Sequence, residues 1–259
     1  MNGETIQDWE IIDAHAHCGR QFRYPPQDIG DYRSAASGSG IRGVVVFAPV
    51  AEIYDRDDYG FRDTEDWRER RESANEYLLH LGDARFEVIP YFFIWNDFAV
   101  EQITPAHQGI KWHRHSDEPE YHYDDPRCAA AVAEIRRRNL PVVLEEEFHN
   151  TLKFLDVVAP GCRVIIPHCG MLNGGYDALV DHGVWARENV FADTALAPPS
   201  IILDYLKRYG DNRILFGSDF PFGDPKSELR KILRLDVSDE TRRGLLSGNL
   251  RRLLAGNRS

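Results

Sequence analysis

The segment Ile11-Ile12-Asp13-Ala14-His15-Ala16-His17 begins apolar and ends on two histidines. Near the other end of the chain, Ile214-Leu215-Phe216-Gly217-Ser218-Asp219 begins apolar and ends on an aspartate. Short apolar runs bounded by turn residues read as strands. Six more lie between these two: Gly43 to Ala48, Glu87 to Ile94, Gly109 to His113, Pro141 to Glu146, Arg163 to His168 and Val190 to Thr194. RGVVVFA, CRVIIPH and RILFGSD are apolar almost throughout, where a half-exposed strand would alternate. That pattern predicts parallel strands covered on both faces, and parallel neighbours need crossovers long enough to hold a helix.

Helical periodicity occupies the crossovers over Thr64 to Gly82, Asp125 to Asn139, Thr151 to Ala159, Tyr176 to His182, Pro199 to Tyr209, Pro225 to Leu235 and Asp239 to Leu254. Asp63 is expected to cap the Thr64 helix, with Asp66 completing a capping box. Asn139 and Gly210 mark helix ends, and Ser238 precedes the last helix. No Pro/Gly/Ser-rich linker divides the 259 residues, so the expectation is α/β: a single (β/α)8 barrel domain over 1–259, with an open doubly wound sheet as the alternative. The charged stretch Ile53 to Asp66 is expected to form an exposed excursion over one end.

Composition narrows the function. With 31 Lys and Arg against 42 Asp and Glu, the net charge of -11 opposes binding to nucleic acid or to an anionic membrane. Thirteen Phe, eleven Tyr and five Trp are enough to fill a core. Cys18, Cys128, Cys162 and Cys169 form no CxxC pair and read as reduced buried thiols. The start MNGETIQDWE has no basic, apolar leader, and no run approaches the ~20 apolar residues of a membrane span, so a cytoplasmic location is expected. GxGxxG, GxxxxGK[ST] and GxSxG are absent, which removes nucleotide binding and a serine nucleophile from consideration.

In a parallel barrel, chemistry sits at the C-terminal strand ends, and here those ends are polar. His15 and His17, two apart on a strand, share a face and converge on one divalent ion. Asp219 can hold that ion and take a proton from an attacking water, and His168 serves as a ligand or as a general acid and base. Lys111 and His113 point the same way and can grip a substrate carboxylate. Of the three successive glutamates, Glu145 is the one expected inward, while Glu146 and Glu147 are expected at a solvated mouth, with His149 as a further candidate ligand. Arg20 and Arg23 could meet an anionic substrate, and Trp95 and Trp112 line a pocket or pack, with packing favoured for Trp112.

Taken together, IIDAHAH, GIKWH, LPVVLE, VIIPHCG, ILFGSDFPF and GNLRRLL resemble the amidohydrolase superfamily, in particular its amidohydrolase-related (amidohydrolase 2) branch of hydrolases and non-oxidative decarboxylases. The resemblance spans nearly the whole chain, and IIDAHAH and GSDFPF are its specific parts. It implies a barrel binding one divalent metal, usually zinc, through His15, His17, a strand-five residue and Asp219, with His168 as the catalytic histidine. The family's strand-five histidine is replaced here by Glu145, a harder ligand that brings manganese into contention. In two-metal members the residue matching Lys111 is carboxylated and bridges the ions.

The leading expectation is therefore a hydrolase using metal-activated water on an amide, lactone or ester-type small molecule. The alternative is a non-oxidative decarboxylase or hydratase of an unsaturated or aromatic acid, and a third reading, prompted by Glu145, is a catalytically inactive ligand-binding barrel. The expected partner is a small-molecule substrate, with no nucleic acid and no membrane. Self-association is left open, since such barrels often dimerise.

Overall fold

The computed structural model describes residues 9–20 and 27–257, so Arg23 falls outside the described residues. Eight parallel strands run in chain order around one sheet: β1 (Ile12–His17), β2 (Gly43–Phe47), β3 (Glu87–Phe93), β4 (Gly109–His113), β5 (Val142–Glu145), β6 (Val164–Ile166), β7 (Val190–Asp193) and β8 (Ile214–Leu215). The barrel closes where β8 and the residues after it meet β1. Ala14 N donates to Phe216 O at 2.8 Å, Asp219 N to His15 O at 2.7 Å and His17 N to Phe220 O at 2.8 Å. This is the expected (β/α)8 barrel.

Two apolar layers hold it together. Ile12, Val45, Ile89, Tyr91, Val143, Ile165 and Leu215 fill the barrel from within. Ile110, Trp112, Val142, Leu144, Val164 and Ile214 lie in the larger cluster that also contains helix residues such as Ile135, Leu179 and Ile202. Period-two alternation along β4 and β5 makes the division: Ile110, Trp112, Val142 and Leu144 belong to the outer cluster, and the residues between them face inward. Trp112 thus packs, as expected, and the four cysteines are buried and unbridged.

The helices differ in detail from the sequence reading. An eight-residue helix, α1 (Ile29–Ala36), escapes the periodicity because it buries only Tyr32 and Ala36; a capping box between Asp28 and Asp31 starts it. Thr64, not Asp63, caps α2 (Glu65–Leu78), because the Asp63 carboxylate is taken by Arg71 at 2.7 Å. No α-helix joins β3 to β4, only a 3-10 turn at Val100–Gln102. After α3 (Pro126–Arg138), Glu147 caps α4 (Phe148–Lys153), which therefore begins three residues before Thr151 and runs into a π-helical turn, Phe154–Val158. Of the rest, α5 (Tyr176–Asp181), α6 (Pro199–Tyr209) and α7 (Pro225–Leu233) fall within the expected spans, while the expected Asp239 to Leu254 helix is two, α8 (Asp239–Arg243) and α9 (Asn249–Ala255), joined by a π-helical turn; Asn139, Gly210 and Ser238 occupy the helix ends assigned to them.

Candidate active site

β1 does not alternate from end to end. Its pairing with β2 shifts between Asp13 and Ala16, so Ile12 and Ala14 belong to the inner cluster and Ala16 to the outer. Beyond the shift both imidazoles face the barrel axis, with the His15 and His17 rings 4.9 and 4.8 Å from Phe47. A bulge re-aims side chains in this way without ending the strand. Asp13 takes bonds from Tyr32 Oη, Ser218 N and His15 N, and burial pushes its carboxyl up to about 6.

Barrel closure then brings the last strand end onto the first. Gly217 permits the approach: a Cβ there would lie 2.9 Å from His15 Cβ. Asp219 turns out of the strand with φ of 58°. Its Oδ1 comes within 3.3 Å of both His15 Nε2 and His17 Nε2. Burial opposes ionisation of Asp219, but the two imidazoles outweigh it and hold the carboxyl well below its usual range.

Asp193, at the end of β7, organises the rest. His15 Nδ1–H donates to Asp193 Oδ2 at 2.7 Å, leaving His15 Nε2 buried without a hydrogen-bond partner. The other oxygen of Asp193 accepts from the backbone N–H of His168 at 2.9 Å. His168 has φ of 56°, which ends β6 early and turns the ring inward. Its Nδ1 lies 3.1 Å from Ala195 O, so Nε2 is the nitrogen presented to the barrel. Ligating atoms of His15, His168 and Asp219 lie within 4.8 Å of one another, and His17 reaches the same Asp219 oxygen. An orphaned buried imidazole nitrogen, tautomers set from behind by oxygen acceptors and a carboxylate shared by two histidines fit a first-row divalent ion.

Glu145 sits in a different set of contacts. Lys111 Nζ reaches its Oε2 at 3.0 Å, and His115 Nε2 and His113 Nε2 lie 2.7 and 3.2 Å from its Oε1. His168 Nε2 stands 3.7 Å from Oε2, the link between the two halves of the site. Burial raises the Glu145 pKa, but Lys111 reverses this and holds it well below the usual carboxylate range. Lys111 Nζ also lies 4.4 Å from the Phe47 ring centroid. Above this pair, Tyr54 Oη donates to Glu118 Oε2 at 2.6 Å and Arg56 pairs with the same carboxylate. His113, His115 and Glu118 form a second group of close ligating atoms, but the cations of Lys111 and Arg56 border it.

Several expectations need correction. Glu146 is fully buried, bonded to Arg114 at 3.0 Å and to Tyr123 Oη at 2.6 Å, because β5 ends before it and turns it under α4. Glu147 is the α4 cap, and the exposed His149 donates its backbone N–H to that carboxylate. Arg20, for which a surface position is the commoner case, is exposed, over the Tyr77 ring at 4.4 Å. Within the excursion, Ile53 and Tyr54 are buried and Arg56 reaches back to the site. Sequence reading missed Asp193, His115, Glu118, Tyr54 and Arg56. Two of these had a local signal: Asp193 closes an apolar run as Asp219 does, and His113-Arg114-His115 repeats the spacing of His15-Ala16-His17.

The family profile described as Amidohydrolase matches residues 12–255. The chain belongs to the amidohydrolase family. No curated protein matches it in sequence. Among solved structures, this amidohydrolase is similar to 2,6-dihydroxybenzoate decarboxylase from Rhizobium, with a TM-score of 0.73 at 15% identity over 95% of this chain and 99% of that one. A putative 2-pyrone-4,6-dicarboxylic acid hydrolase from Pseudomonas putida gives 0.68 at 16% identity over 97% and 99%. The 5-carboxyvanillate decarboxylase of Novosphingobium aromaticivorans, complexed with manganese, gives 0.70 at 13% identity over 96% and 97%. At these identities the likeness concerns the fold. No helix among the described residues is long and apolar enough to cross a membrane.

Proposed function

We propose that this amidohydrolase-family chain is a metal-dependent hydrolase of an amide, lactone or ester-type small molecule, working in the cytoplasm. The observation that carries the reading is the Asp219 carboxylate oxygen 3.3 Å from both strand-one imidazoles. His15, His17 and Asp219 would hold one ion and leave a position open, the arrangement of catalytic zinc sites. Zinc suits two imidazoles and one carboxylate, and manganese, present in two structural relatives, is the second candidate. When bound, the ion polarises the scissile carbonyl and makes water a better nucleophile.

Asp219, ionised beside its two histidines, is the carboxylate placed to accept the proton of the attacking water. His168 donates to the leaving group; burial disfavours its protonation, but the Glu145 carboxylate reverses that and raises its pKa. Lys111 and His113 would orient an acidic group of the substrate across from Glu145. The Glu145–Lys111 pair supports a role for Glu145 as counter-charge to an ammonium Lys111.

A second reading, non-oxidative decarboxylation of an unsaturated or aromatic acid, is favoured by the aromatic acids named for two of the structural relatives. Turnover in 18O-labelled water separates the two. Label in the organic product is the expected result, and carbon dioxide release with an unlabelled organic product would put decarboxylation in its place.

A further inference from the structure

We infer that Gln27 is a specificity-determining residue that reads a hydroxyl group on the substrate. Gln27, between β1 and α1, is 2% exposed, yet neither its Oε1 nor its Nε2 has a hydrogen-bond partner among the described residues. A buried primary amide left unpaired on both sides is costly, and most buried polar groups are satisfied. The side chain lines a small cavity of about 10 Å³ together with His17, Val50, Arg56 and Phe222, next to the candidate metal ligands. The backbone there is not adrift: Gln27 O accepts from Gly19 N at 3.0 Å, and the next residue, Asp28, caps α1. The amide is therefore held in place beside His17 with its polar end unused.

The chemistry of that end limits what it can meet. An amide offers two N–H donors and a carbonyl acceptor side by side, so its best partner both accepts and donates. A hydroxyl does this; a carboxylate would satisfy the donors and oppose the carbonyl oxygen. Phe222 and Val50 close the other sides with apolar surface, which suits the carbon next to that hydroxyl. The inference rests on the proposed metal-dependent reading for the location of the substrate and adds its class: a small acid or ester bearing a hydroxyl near the reacting group. A site built to hydrogen-bond a substrate hydroxyl rejects the analogue lacking it, because its own polar groups then stay unpaired.

The test compares binding of 2-hydroxybenzoate and benzoate by calorimetry to the purified, metal-loaded full chain and to its Gln27→Met and Gln27→Glu variants, with metal content assayed in each. The wild-type protein is expected to prefer the hydroxylated acid by about tenfold or more, and Gln27→Met to bring the two within about twofold while benzoate binding stays level. Gln27→Glu is expected to weaken both acids through charge repulsion. Thermal melts of the ligand-free proteins add a readout independent of binding, since removal of an unpaired buried amide should raise Tm in Gln27→Met. A preference unchanged in a folded Gln27→Met protein, or no preference in the wild type, overturns the inference; so does failure of both acids to bind. A preference that depends on Gln27 in protein holding no stoichiometric metal would keep the inference and sink the metal-dependent reading.

Discussion

Two strand ends of this barrel carry the same short pattern, His15-Ala16-His17 on β1 and His113-Arg114-His115 running off β4, yet their surroundings differ. Opposite the first pair stands Asp219, whose only ion-pairing partners among the described residues are those two imidazoles. Opposite the second stand Glu145 and Glu118, each already paired with a cation, Lys111 and Arg56. A divalent ion gains from a carboxylate whose only partners are imidazoles, which can give up a proton to make room for it, and is repelled by an ammonium and a guanidinium. On the proposed reading, a His-x-His pattern suits a metal only where the facing charge is left for it.

The sharpest way to break that comparison is to remove the facing charge on each side. Asp219→Asn should lower kcat by on the order of 10^3-fold, the middle of the range for losing a positioned proton acceptor, whereas Glu118→Gln should cost less than about tenfold. Steady-state kinetics on the turned-over substrate checks both, and comparable losses would erase the distinction. Elemental analysis should agree: His15→Ala is expected to lose the single bound ion and His115→Ala to keep it.

Lys111→Met addresses the second half directly. It leaves Glu145 buried with imidazole partners only, and loss of one partner of a buried pair typically costs about 3–5 kcal/mol, of which the double variant Lys111→Met/Glu145→Leu should recover most. Denaturant melts measure this; if the single variant is as stable as the parent, the pair does not hold the two strands together. Asp193→Asn should weaken metal binding by about 10–100-fold without unfolding the barrel, as expected for a group that orients a ligand from behind. Competition titration with a chelator is the measurement.

The smallest effect separates the two histidines of the first pair. Burial disfavours a proton on His15, but Asp193 outweighs burial and raises its pKa to about 9; His17 is lowered to about 4, chiefly by burial. An ion must displace the His15 proton and finds His17 already neutral near pH 7. Apparent metal affinity should therefore rise about tenfold per pH unit up to about 9 and level off above it, as expected for release of one proton. A slope near two would show both imidazoles protonated.

Much of this was legible in the chain. Eight apolar runs with polar ends are local patterns that alternation and parallel burial impose on any such barrel, and His15, His17, Lys111, Glu145, His168 and Asp219 stand where those patterns put them. Helix α1 was not legible because eight residues with two buried positions carry almost no periodicity. The partner of each strand-end group was decided by tertiary structure alone. Register across β1 and β2, closure of β8 on β1 and the return of the Ile53 to Asp66 segment bring together residues distant in the chain, so the choice of Asp219 for the first histidine pair, Lys111 for Glu145 and an empty-handed Gln27 beside His17 follows from distances that no local spacing encodes.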